Sequence, residues 1–315
     1  MDNPPMQEDR GWPIVRYRFV FSVQTPVSLP EYAGSTLRGA FGHALLRTAC
    51  MTRERQCEEC PLYLTCPYAA IFQAPAPASH SLQKFSAVPH SYVIEPPPWG
   101  RRVYQAGEEL FFDMTLFGQA LERLALIVYA WQRAFMHGIG HGTAILDDVI
   151  LLGPDFDESV FDAGTSRVRP HQQSLQLPAM TAGDCRLTFI TPLRLQENGR
   201  MLQPEEINAR ILLMALARRV SLLAEFHAGF VPGYDFQMMN AAAASIEMSQ
   251  NLRWQHWVRY SGRQKQKMTL NGLTGDIILR DVPAFFFELL QLGQWTHVGK
   301  NTTFGLGHYL LEREL

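Results

Sequence analysis

The chain has 315 residues, of which 47% are hydrophobic and 18% charged, with a formal net charge of −2. Length and hydrophobic share predict about two domains with a sizeable core, and the charge excludes a uniformly basic nucleic-acid binder, so any nucleic-acid site must be a local patch. No run of 18 apolar residues is present, so no helical membrane span is expected, and the polar first ten residues, without a signal-peptide core, predict a cytoplasmic protein.

Val15 to Val23 alternates and is rich in β-formers, which predicts a strand. Pro26 and Pro30 mark a loop, and Ser35-Thr36 offers a cap for a helix running to about Ala49. Leu37, Phe41, Ala44, Leu45 and Thr48 fall on one side of that helix. His43 falls roughly opposite, with Arg47 one turn on. An exposed imidazole that titrates near neutral pH can move protons, although a surface histidine without a task fits the same pattern. Gly39 and Gly42 are costly in a helix interior, which predicts a close neighbour at the backbone there.

Cys50, Cys57, Cys60 and Cys66 follow with the spacing C-x6-C-x2-C-x5-C. In a cytoplasmic chain such a cluster is better read as metal ligands than as disulfides. Four thiolates and no open position predict a structural Zn2+ knuckle rather than a catalytic site; an iron–sulfur cluster is the alternative. Cys185 stands alone and should be buried.

Residues 74–100 are proline-rich, with a strand at Ser91–Glu95. A better strand spans Gly107 to Phe117, an apolar helix Gln119 to Met136, and a strand Ala144 to Leu152. Between the last two lies the glycine loop H-G-I-G-H-G-T, which carries His137 and His141. These two are open to three readings: RNA contacts, proton donors or turn residues.

After a polar segment, 153–176, the pattern begins again: strand Cys185 to Ile190, loop Thr191 to Gln203, helix Pro204 to Phe226. Pro204 suits a first helical position and Glu205 and Glu206 suit the first turn. Arg253 to Lys267 carries five cations, Arg253, Arg259, Arg263, Lys265 and Lys267, and no acid. Trp254, Trp257 and Tyr260 are interleaved with them. Cations neutralise phosphates while aromatic faces stack on bases, and the stretch leads into a strand pair with a turn at Asn271-Gly272.

An apolar helix, Phe285 to Leu292, precedes the loop H-V-G-K-N-T-T-F-G-L-G-H-Y, His297 to Tyr309. Gly299, Gly305 and Gly307 let a backbone approach a ligand closely and offer N–H groups to an anion, and Lys300 adds a point charge. A tight turn before the last strand, His308 to Leu311, is the plainer reading.

R-Y-S-G-R-Q-K-Q-K-M-T-L-N-G-L-T-G-D-I followed by the 297–309 loop resembles the C-terminal half of CRISPR precursor-RNA processing endoribonucleases of the RAMP superfamily. L-R-G-A-F-G-H-A-L-L-R, the knuckle ending C-P-Y-A-A-I-F, and G-I-G-H-G-T extend the resemblance to most of the chain. The resemblance and the repeated strand–helix pattern together imply an α+β fold of two tandem ferredoxin-like (RRM/RAMP-like) βαββαβ domains. The expected domains are 11–178, with the zinc knuckle inserted, and 179–315.

The resemblance also implies metal-independent cleavage of CRISPR repeat RNA, in which the ribose 2′-hydroxyl attacks the adjacent phosphate. His43 matches the family's base, with Arg47 or Arg38 as cations for the transition state and His137, His141 and His227 as rivals. Gly299, Lys300, Gly305 and Gly307 match the loop that contacts RNA and packs the domains. Other CRISPR effector subunits are conceivable partners. A catalytically silent RNA-binding subunit of a CRISPR effector complex is the alternative.

Overall fold

In a computed structural model the described residues are 11–54, 56–74, 88–100, 102–153, 156–172, 174–261 and 266–314, with the backbone alone described for 259–261 and 266–268. The first domain runs β1 (Ile14–Val23), α1 (Gly34–Ala49), the short α2 (Pro67–Phe72), β2 (Tyr92–Glu95), β3 (Glu109–Phe117), α3 (Leu124–His137), β4 (Ala144–Leu152) and an edge strand β5 (Asp157–Ser159). The second runs β6 (Gly183–Leu193), α4 (Ala209–Leu223), α5 (Phe236–Ala244), β7 (Met248–Ser261), β8 (Gln266–Val282), α6 (Ala284–Thr296) and β9 (Tyr309–Arg313).

The two main sheets are antiparallel, in the orders β2-β3-β1-β4-β5 and β7-β8-β6-β9. With the extra edge strand removed, both orders are those of a βαββαβ unit whose last strand lies beside its first. The alternation in β1 sets the inner face. Tyr17, Phe19 and Phe21 point to α1 and α3, where Phe41 stacks on Trp131 at 5.1 Å. In the second domain Cys185, Leu187 and Phe189 of β6 meet Leu213 and Leu216 of α4 and Phe286 and Leu290 of α6.

The outer face of the first sheet is not wholly wet. Ile14, Val93 and Phe117 belong to the second domain's core. Gly118 (φ +53°) lies so close to the His227 carbonyl that a Cβ would stand 1.8 Å from its oxygen. A smaller cluster of Tyr32, Trp257, Phe304 and Leu306, flanked by Trp99 and Leu270, closes the seam elsewhere.

Four local expectations are corrected. Asn271-Gly272 is not a turn but lies inside β8, opposite His256 and Gln255. Glycine is used there because a Cβ at 272 would stand 2.6 Å from Pro192. The helix expected over 119–136 opens with a 3-10 turn, Gly118–Arg123, where the chain hugs the second domain. The helix expected over 204–226 breaks at Asn208, whose side chain caps α4 by accepting from Ile211 N at 2.9 Å. Gly42 meets Phe72 of α2 within 2.4 Å of a would-be Cβ, but Gly39 faces open space.

Candidate nucleic-acid interface

The loop from His297 to His308 joins α6 to β9 and is wedged between the domains. Gly299 (φ +92°) faces Arg194, whose carbonyl oxygen accepts from Lys300 N at 2.8 Å. Gly305 (φ +87°) comes against Ile94 O of β2, and Gly307 (φ +73°) against Val298 O. These left-handed conformations suit glycine alone. The N–H groups of Val298, Lys300, Gly305 and Gly307 all donate to protein carbonyls. These amides hold the loop rather than cradle an anion, which corrects that part of the sequence reading. Lys300 is exposed.

The start of α1 packs on this loop. Tyr32 Oη donates to Phe304 O at 2.6 Å, and the Arg38 guanidinium lies 4.4 Å over Phe72 and 5.5 Å over Phe304. Arg38 Nη2 donates to His90 Nε2 at 3.1 Å, while its Nε has no partner among the described residues. Burial, then the Arg38 and Arg219 charges, push the His90 imidazole down to about 3, so it is neutral and accepts. On α4, Arg219 Nε donates to Thr296 O at 2.7 Å and its Nη2 has no partner among the described residues. Burial pushes this guanidinium down to about 10. His227, lowered by burial, lies with Nε2 2.6 Å from Pro89 O. Among the described residues neither arginine has a carboxylate within 4.0 Å. Among the described residues this seam therefore holds two cations without an ion-pair partner, an arrangement suited to an anion such as phosphate.

The sequence-predicted residues are spread around this seam rather than gathered in it. His43 and Arg47 are exposed on α1, and His43 makes no hydrogen bond to a described residue. It lies nine positions along the helix from Gly34, where the loop packs, about 13 Å along the axis at the usual helical rise. His137 is exposed with Nδ1 2.8 Å from Arg133 O, and His141 is exposed at φ +70° in a turn. Gly140 and Gly142 in that turn press on the backbone of Ser28 and Pro26.

In the β7–β8 hairpin Arg253 is exposed, but Trp257 is 3% exposed and packs between Tyr32 and Trp99. It anchors the hairpin to the first domain and offers no face to a base, which corrects its place in the patch. Of Arg259 and Lys267 only the backbone is described, and Arg263 and Lys265 lie outside the described residues. Sequence reasoning missed Arg219 and His90; the signal available was an arginine on the apolar helix α4, which looked like ordinary helix surface.

Cys50 ends α1, Cys57 opens a 3-10 turn, and Cys66 precedes α2. All four thiols line one cavity with Leu46, Tyr63 and Tyr68. Arg53 N donates to Cys50 Sγ at 3.3 Å, and Thr52 Oγ1 lies 3.2 Å from Cys60 Sγ. Burial, followed by the neighbouring Cys66, pushes the Cys57 thiol up. The donor set and the amide bond to sulfur fit a thiophilic ion, although the sulfurs are not gathered within 4.8 Å as a group.

A family model described as an N-terminal domain matches residues 12–173, and one described as CRISPR-associated endoribonuclease Cas6 matches 187–309. No curated protein sequence matches the chain. Among solved structures, a Cas6 product complex is 17% identical, covers 95% of this chain and 100% of its own, and has a TM-score of 0.57. Thermus thermophilus Cas6 is 15% identical, over 95% and 98%, with a TM-score of 0.52. A partial Cas6-RT-Cas1–Cas2 complex is 14% identical over 96% of this chain, TM-score 0.54, and the chain spans 46% of that longer polypeptide. At these identities the structures show a shared fold. No described helix is long and apolar enough to cross a membrane.

Proposed function

The chain belongs to the CRISPR repeat-processing endoribonucleases of the RAMP superfamily, and we propose that it cuts precursor CRISPR RNA within the repeat without a catalytic metal. The observation that carries this reading is the Cas6 match over 187–309, which takes in the glycine loop and most of the second sheet. In the proposed reaction the 2′-hydroxyl loses its proton to His43 and attacks the adjacent phosphorus. The bond to the 5′-oxygen breaks and that oxygen is protonated, leaving a 2′,3′-cyclic phosphate and a 5′-hydroxyl. Arg47, or Arg38 in the seam, offsets the charge that builds on the phosphorane. Arg253 and Lys300, both exposed, add contacts to the RNA backbone. The four cysteines hold a structural Zn2+ in this reading, and other CRISPR proteins are candidate partners.

One observation favours a second reading, a silent RNA-binding subunit. His43 is exposed on α1 and makes no hydrogen bond to a described residue, whereas Arg38 and Arg219 lie in the seam. Incubation of the purified protein with repeat RNA in excess EDTA separates the two. A single cut ending in a cyclic phosphate supports the nuclease; tight binding with intact RNA moves the function to the silent subunit.

A further inference from the structure

Behind the glycine loop, on the face of the first sheet that the second domain covers, three donor side chains converge. Glu95 ends β2, and His297 and His308 bracket the loop. Their ligand atoms lie within 4.8 Å of one another. His297 is fully buried, and among the described residues neither of its ring nitrogens has a hydrogen-bond partner. Its Nε2 approaches Glu95 Oε1 at 3.4 Å. His308, half-buried, makes no ring hydrogen bond to a described residue and lies parallel to His297 with centroids 4.6 Å apart.

A buried polar atom left unpaired is costly, and the two unpaired ring nitrogens of His297 call for an occupant. The backbone supports the same conclusion. His297 closes α6 at φ +58°, a left-handed conformation that non-glycine residues rarely adopt, and so its imidazole is held at this spot by the fold.

Glu95 is already oriented. Its Oε1 accepts from Arg16 Nε at 3.0 Å and from Thr115 Oγ1 at 3.2 Å, while Oε2 receives no hydrogen bond from a described residue. Arg16 is itself fixed, donating to Gln294 O at 2.6 Å and lying 4.4 Å over Trp295. Supporting groups of this kind set the direction of a ligating carboxylate.

We propose that Glu95, His297 and His308 bind a divalent transition-metal ion of the zinc class, which ties the α6–β9 loop to β2 across the domain seam. Two imidazoles and one carboxylate suit zinc, cobalt or nickel, whereas magnesium and calcium prefer all-oxygen shells. Three protein ligands leave a fourth position for water. Parallel rings share no point in both planes, so the ion requires one ring to turn. His308 does so, because it is only half-buried, and His297 stays locked. The site is separate from the four cysteines and from His43, and it does not depend on the RNA reading.

The test uses the full chain carrying Cys50→Ser, Cys57→Ser, Cys60→Ser and Cys66→Ser, so that the thiol cluster does not contribute. The metal-stripped protein is titrated with Co2+, read by visible absorption, and with Zn2+ by calorimetry. The expected result is about one equivalent bound, with affinity falling by at least on the order of 10–100-fold in His308→Gln and in Glu95→Gln, while circular dichroism stays unchanged. No binding, or equal affinity in both variants, overturns the proposal. If the cysteine variant does not fold, the parent chain is used with His308→Gln alone. Its Co2+ stoichiometry should then drop by one equivalent and the nitrogen-ligand bands should be lost; an unchanged stoichiometry again overturns the site.

Discussion

Gly34, the first residue of α1, lies against the carbonyl oxygen of Phe304 so closely that a Cβ would stand 1.9 Å from it. The contact joins the helix that carries His43 and Arg38 to the glycine loop of the other domain. Gly34→Ala should therefore destabilise the protein by about 1–3 kcal/mol or more, because the clash is with backbone that cannot rotate away. Gly39→Ala in the same helix should stabilise it by up to about 1 kcal/mol, since that position is open and alanine is the better helix former. Urea unfolding of the two variants measures both signs. A destabilised Gly39→Ala, or a neutral Gly34→Ala, contradicts the packing.

The hairpin separates anchor from contact. Trp257→Ala should cost about 3–5 kcal/mol as a buried aromatic truncation. Arg253→Ala should leave stability unchanged and weaken RNA binding. Thermal unfolding and a filter-binding titration on the same samples decide between this and a stacking role for Trp257.

His43→Ala should abolish cleavage and leave repeat-RNA affinity within about twofold, as expected for a proton-transfer group outside the main contacts. Arg38→Ala should weaken binding and reduce the salt slope by about one phosphate contact. Arg38→Lys should restore charge without the stack on Phe72 and Phe304, and so only part of the affinity. A full loss of RNA binding in His43→Ala would move it from proton transfer to recognition.

The cysteine cluster predicts about one tightly held zinc per chain in addition to any ion at the seam. Elemental analysis of Cys57→Ser/Cys60→Ser should show that zinc lost and the melting temperature lowered. Retention of the same metal content shows that the thiols are not its ligands.

Stability should fall with acid through His90. Its folded-state value is about 3 against an ordinary 6.5. Between those values the unfolded chain holds a proton that the folded chain refuses, so stability is full above 6.5 and declines as pH drops toward 3. The slope per histidine approaches about 1.4 kcal/mol per pH unit. His90→Gln keeps an acceptor for Arg38 and should remove one proton's share of the slope, measured by denaturation at pH 7, 6, 5 and 4. An unchanged slope assigns the acid sensitivity to other groups.

The strands and helices were legible where one face is buried. Val15 to Val23 and the stripe Leu37, Phe41, Ala44 and Leu45 follow their periods because each packs on a single core. The helix Phe236–Ala244 was missed although Asp235 caps it, accepting from Gln237 N and Met238 N; its signal is a cap followed by good helix formers. Asn271-Gly272 misled because the letters of a turn also serve where a strand passes close to another chain segment.

The sequence by itself determined two βαββαβ units, a four-cysteine cluster and a glycine loop between the last helix and strand, since these rest on local period and spacing. Only the tertiary structure decided what those parts do to one another. It turned the loop's amides inward, buried Trp257, and set Arg38 with Arg219 and Glu95 with His297 and His308. Each of these pairings joins residues far apart in the chain, and desolvation and charge act on distance in space, which no local pattern of letters records.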